Sequence, residues 1–274
     1  MKFRTFTTCS LFLIFAGTIF AQTPPAANQN SKNAGLGSRV YFPFRKKPSK
    51  EQRQILQPQA GDAALYAQVL AQPRTGIFRL LPDSGCEANT LVIRADEKCL
   101  NQIPDSSFFS FRENEHTQEI LSDIRLKNGH LISDGILSQG ILVNLGDARL
   151  EGVTTDTEGL KFLNEYEPQS TNRGAYKQFL QMANGVESGG YIYRKMSPVI
   201  ENSTYALRVI AYKGNIFRTF RGFHFDLLAG DKRIDQTLAF RVVRKDPDGA
   251  VTIVWRELAR REAPRIKFER KKTR

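Results

Sequence analysis

The sequence predicts an α+β fold, predominantly antiparallel β in a sandwich-like or curled sheet, with two or three helices. Three observations carry that expectation. Short apolar runs with strand period recur from Gly76 to Leu258. Turn residues punctuate them, most clearly at Asn128-Gly129 and Asp246-Pro247-Asp248-Gly249. Only two stretches carry convincing helical signals. No fixed-period repeat is present, which argues against a solenoid or propeller.

The elements follow in order. Lys2 and Arg4 precede an apolar stretch from Phe6 to Phe20, closed by Ala21. That order reads as a secretory signal peptide over residues 1–21. Residues 22–59 read as a linker and basic N-terminal segment. Its first part, to Ser38, is a polar spacer without apolar period. Val40-Tyr41-Phe42-Pro43-Phe44 within it reads as an edge strand, where Pro43 is tolerated. A single β-rich domain is expected over residues 60–258, followed by a basic C-terminal tail over 259–274.

Within that domain, Asp62 is the expected cap of a helix reaching Ala71. Leu65, Val69 and Leu70 would form its packing face. Strands follow at residues 77–81, 90–94 and 107–112, the last with Phe109 and Phe111 on one face and Phe108 on the other. Residues 120–127 and 130–132 flank Asn128-Gly129 as a hairpin. A strand is expected over 136–145 and another over 159–166, where Leu160, Phe162 and Tyr166 alternate. Ala175 to Ala183 reads as a helix whose apolar face is Tyr176, Phe179, Leu180 and Ala183. Further strands fall at residues 191–194, 204–212, 223–228, 237–245 and 251–258. Pairing Lys245 with Ala250 across the last turn sets Phe240 opposite Trp255 and Val242 opposite Ile253.

The charge is unevenly spread. Residues 22–60 hold seven Lys/Arg against one Glu, and residues 256–274 nine against three. Residues 61–255 hold 22 Lys/Arg against 24 Asp/Glu. A nearly neutral body between basic flanks is not the pattern of a nucleic-acid-binding domain. It fits solvated ends or attraction to an anionic envelope surface, so the expected partners are that surface or another exported protein. No other stretch approaches the length of a spanning helix. The expected location is secreted or periplasmic. Cys86 and Cys99 remain after the signal, and in an oxidising compartment they are expected to form a disulfide.

Motifs for chemistry are sparse. There is no Walker loop and no dinucleotide fingerprint, and no cofactor is expected. No metal site is expected either: His116, in Glu113-Asn114-Glu115-His116, lacks a second histidine and reads as part of a solvated polar turn. His130 reads as an exposed hairpin residue. His224 and Asp226, two apart on one strand face, are weak catalytic candidates for general-base work. The run Phe217-Arg218-Thr219-Phe220-Arg221-Gly222-Phe223 interleaves aromatics and arginines and reads as a buried strand, although such a surface also suits stacking. Asn202-Ser203-Thr204 is a glycosylation sequon, meaningful only in a pathway that uses it. The expected function is therefore an exported, non-catalytic binding or accessory protein. The alternative is an exported hydrolase built around His224 and Asp226.

Overall fold

The computed structural model describes residues 48–88, 92–93, 99, 102–220 and 222–268. The expected signal peptide, the spacer, the Val40–Phe44 strand and the last six residues lie outside them. So does most of the expected strand at 90–94.

The chain runs α1 (Lys50–Ile55), α2 (Ala60–Leu65), α3 (Ala67–Leu70), β1 (Thr75–Leu80), β2 (Glu87–Ala88), β3 (Val92–Ile93), β4 (Phe108–Ser110) and β5 (Glu115–His116). Then come β6 (Ile124–Lys127), β7 (His130–Ile132), β8 (Ser138–Asn144), α4 (Lys161–Glu165), α5 (Asn172–Asn184), β9 (Val186–Ser188), β10 (Tyr191–Tyr193) and β11 (Met196–Pro198). It ends with β12 (Thr204–Ala211), β13 (Phe217–Phe220), β14 (Phe223–Asp226), β15 (Ile234–Lys245) and β16 (Val251–Glu262). The fold is α+β and mostly antiparallel, as the sequence implied.

Two five-stranded antiparallel sheets face each other, in the orders β1-β16-β15-β12-β8 and β11-β7-β6-β4-β5. The first is the structural centre. One face, including Phe78, Tyr205, Leu207, Phe240, Ile253 and Trp255, packs on Phe109, Phe111, Ile124, Leu126 and Leu131 of the second sheet and its flanks. Its other face, with Ile141, Val143, Ala206, Ala239 and Val254, is covered by Val69, Leu150, Leu160, Leu163 and Met182 from helices and turns. Burial on both faces explains why every residue of β12 is buried and why its sequence is apolar without alternation.

Cys86 and Cys99 form a disulfide with Cα atoms 5.5 Å apart, within the reach such a bond allows. Asn128 and Gly129 both take positive φ, 50° and 70°, the geometry of a tight hairpin turn. Phe240 faces Trp255 and Val242 faces Ile253, as the sequence implied. The turn end differs: Lys245 faces Val251, not Ala250, because the register shifts between Val242 and Arg244. A bulge at Val243 absorbs one residue, leaving the inner pairs in place.

Other expectations need correction. Residues 159–166 form a 3-10 turn (Glu158–Leu160) and α4 instead of a strand. Leu160 and Leu163, three apart, are both fully buried against the first sheet, which a strand could not achieve on one face. Asp62 is not a cap, since the helix begins at Ala60. Its carboxylate instead takes Nε and Nη2 of Arg244 at 2.8 and 2.7 Å. The helix breaks at Tyr66, separating α2 from α3, so Leu65 turns outward, 77 % exposed, while Val69 is buried. On α5 the expected apolar face is largely solvent-facing, and Met182 makes the buried contact. Five short helices replace the expected two or three among the described residues.

The expected limits at residues 60 and 258 fall inside the packed structure. α1 carries a capping box between Ser49 and Gln52, and Leu56 just after it is buried. At the other end β16 runs to Glu262 and Ile266 is buried against Ile210 and Tyr212.

Candidate functional site

A groove of about 420 Å³ opens where the two sheets meet α1. Pro48, Arg53, Leu56, Gln57 and Pro58 form one wall; Gly76, Ile77 and Phe78 of β1 form the second; Asp105, Phe109, Asn114, Glu115 and His116 close it. α1 is held in place partly by Arg79, whose Nη1 donates to the Ile55 carbonyl at 3.0 Å. The same guanidinium pairs with Asp246 at 2.7 Å, so the last hairpin anchors this wall as well.

The floor is aromatic. The Phe78 and Phe109 rings, one from each sheet, stack with centroids 3.6 Å apart. The His116 ring stands edge-on to Phe109 at 5.6 Å and to Phe78 at 6.4 Å. Its Nδ1 lies 3.1 Å from the Phe108 carbonyl, so Nδ1 carries the proton and donates. Burial pushes the imidazole pKa down to about 4, against the opposing effect of that hydrogen bond. His116 is thus a neutral, half-buried ring, not part of a solvated turn. The sequence signal for this was faint, because Glu115 and His116 supply only two residues of strand.

Behind the groove lies the chain's single tryptophan. A Cβ built on Gly76 would meet Trp255 Nε1 at 2.6 Å and Asn114 Oδ1 at 2.9 Å. Glycine at 76 therefore lets the indole lie directly against the β1 backbone. Trp255 is 3 % exposed and its Nε1 has no hydrogen-bond partner among the described residues. The groove thus combines an apolar floor with a few polar groups at its rim, which is the make-up of a small-molecule or side-chain pocket.

The sequence-derived candidates lie elsewhere. His224 is exposed on β14, with Nδ1 2.8 Å from Thr219 Oγ1 across the hairpin. Asp226 accepts from Asn215 Nδ2 at 2.6 Å and from the backbone N–H groups of Ile216 and Leu228 at 2.9 and 3.1 Å. Its bonds close the hairpin base, and the structure shows no hydrogen bond from Asp226 to His224. The Thr219–His224 contact gives a hydroxyl beside an imidazole, but the carboxylate that would orient the ring is engaged elsewhere. Phe217, read as part of a buried strand, is 68 % exposed. The β13–β14 ribbon belongs to neither large sheet, which leaves Phe217 without a sheet face to pack on.

Two buried ionic clusters are structural. Arg112 binds Asp123 at 2.7 Å and Asp231 at 2.6 Å, tying the second sheet to the loop before β15. Arg208 makes a bidentate pair with Asp235 at 2.9 and 2.6 Å and donates to the Leu163 and Tyr166 carbonyls at 2.6 and 2.7 Å. Ser110, Ser133 and backbone groups complete the ligation of Asp123 and its carbonyl. Among the described residues no group of three or more His, Cys, Asp and Glu is placed to hold a metal. No helix among them is long and apolar enough to cross a membrane. A second cavity, about 440 Å³, lies beside α5 and is lined by Phe162, Tyr166, Met182, Val186 and the amides of Gln181 and Asn184. Its Phe162 and Tyr166 rings are tilted with centroids 5.8 Å apart, and no imidazole lines it. No protein-family model, curated protein or solved structure matches the chain.

Proposed function

We propose that this chain is an exported, non-catalytic binding protein of the cell envelope or secreted space, and that the groove is its binding site for an aromatic or branched apolar group. The observation that carries the reading is the stacked Phe78–Phe109 floor, edged by His116, inside an open groove of about 420 Å³. Phe78 and Phe109 are 4 % and 3 % exposed, so a ligand ring meets them along the small part of each that lines the groove, with His116 beside them. The polar rim of Arg53, Gln57 and Asn114 supplies donors and acceptors for the ligand's amide or carboxylate. Export is supported by the signal-like first 21 residues and by the disulfide.

Trp255 gives the test a built-in reporter. Titration with N-acetyl-phenylalanine amide, N-acetyl-leucine amide and N-acetyl-serine amide should change its emission in that order of affinity. Arg53→Ala with Gln57→Ala, exposed residues on the last turn of α1 and just beyond its end, should weaken the response while leaving the melting temperature unchanged. No response to any probe, or equal responses to the phenylalanine and serine probes, contradicts the reading.

A further inference from the structure

We propose that the corner formed by the β13–β14 hairpin and the end of the described chain docks on an anionic phospholipid bilayer. This surface shares no residue with the groove, and it stands or falls independently of it.

Two large aromatics face water here: Phe217 is 68 % exposed and Phe268 is 56 % exposed. Each lies within four residues of one backbone junction. Lys213 pairs with Arg265 in a parallel bridge, and Lys213 N and Ile266 N exchange hydrogen bonds with Pro264 O and Lys213 O, each at 2.9 Å. A Cβ on Gly214, three residues before Phe217, would lie 3.0 Å from Ile266 Cγ2 and 4.0 Å from Phe268 Cε2. Ile266 is buried and pins the run, while Arg265, Lys267 and Phe268 on either side of it are exposed.

The charge at this corner is net positive. Arg218, Arg265 and Lys267 are exposed and make no ion pair with a described carboxylate. Two acids lie nearby: Glu262 takes Lys213, while Asp226, cross-strand from Phe217, accepts only from neutral groups that leave its charge uncancelled, so three unpaired cations face one carboxylate. The sequence from 265 to 274 carries six Lys/Arg against one Glu. Exposed phenylalanines between arginines and lysines match the interfacial region of a bilayer, where rings enter at the headgroup boundary and cations meet anionic lipid. Nucleic acid would use the same charges, but it has less use for two phenylalanines standing in water.

The test places a reporter at the corner. Phe217→Trp adds an exposed indole to a chain whose own tryptophan is buried. The full chain is mixed with vesicles of equal parts phosphatidylglycerol and phosphatidylcholine carrying brominated acyl chains, and with vesicles of phosphatidylcholine alone. The proposal requires a blue shift and bromine quenching on the anionic vesicles, lost at high salt. Each basic residue near an anionic surface strengthens binding by about fivefold. Reversal at Arg218→Glu, Arg265→Glu and Lys267→Glu should therefore weaken the quenching titration by about a hundredfold or more. The apolar N-terminus is the same in every variant, so binding through it would not respond to these changes. Equal quenching on neutral vesicles, no effect of the three reversals, or a larger shift with a single-stranded oligonucleotide than with anionic vesicles overturns the proposal.

Discussion

Gly76 is the residue on which the groove's inner wall depends. Its φ is not in the left-handed region, so the constraint is purely one of space: a methyl group there would lie 2.6 Å from Trp255 Nε1. The indole is a rigid neighbour packed against Phe111 at 5.3 Å, so it cannot yield cheaply. Gly76→Ala should destabilise the protein by about 1–3 kcal/mol, the usual range for overpacking, and should red-shift Trp255 emission as the ring is displaced. Chemical denaturation followed by fluorescence reads both effects. His116 makes a second residue-scale prediction. Its pKa of about 4 in the fold lies below its ordinary value of 6.5, so between those values the unfolded chain binds the proton first. The stabilisation is complete above about pH 6.5 and is lost as pH falls toward 4, up to about 3 kcal/mol. His116→Phe should flatten the stability profile in that window, measured as the urea midpoint at pH 7 and pH 5. An unchanged slope would mean that the ring titrates in water.

At the scale of elements, the readable features were those fixed by neighbours in sequence. The Asn128-Gly129 turn was legible because both residues tolerate positive φ. The Phe240–Trp255 pair was legible because alternation fixes a strand's faces, even though the bulge at Val243 moved the turn. What escaped was set by partners far along the chain. α4 read as a strand because its stabilising contact is remote: Arg208, on β12, satisfies the Leu163 and Tyr166 carbonyls at the helix end. Asp62 read as a cap because Arg244, its partner, lies 182 residues away. α1 could have been found, since Ser49 and Gln52 spell a capping box. The Arg208 cluster is testable. Arg208→Met should cost about 3–5 kcal/mol, because it strands the buried Asp235 carboxylate. Adding Asp235→Leu should recover part of that loss despite being a second core change. A double variant less stable than the single one would show that the ion pair itself is not what matters.

At the scale of the molecule, three layers explain the sequence's composition. A central sheet buried on both faces demands runs of consecutive buried residues, and β12, Asp235–Phe240 of β15 and Val251–Trp255 of β16 supply them. The second sheet is shorter, and its end at β5 leaves Phe109 and His116 beside α1. That juxtaposition makes the groove, and no local pattern announced it: its walls come from residues 48–58, 76–78 and 105–116, joined only by the fold. The candidates chosen from sequence, His224 and Asp226, shared a strand, which is a weaker criterion than a shared cavity. The disulfide was legible from the expected export together with the even number of cysteines left after the signal, and the exposed Phe217 was not, since strand spacing cannot say whether a sheet waits on either side.

The most direct test is a crystal of the protein soaked with N-acetyl-para-iodophenylalanine amide, with the iodine located by anomalous scattering. The ring should stack in the groove against Phe78 and Phe109, with its amide toward Asn114 or Arg53. Iodine beside α5, or at no ordered site while the groove remains open, would contradict the assignment of this groove as the binding site.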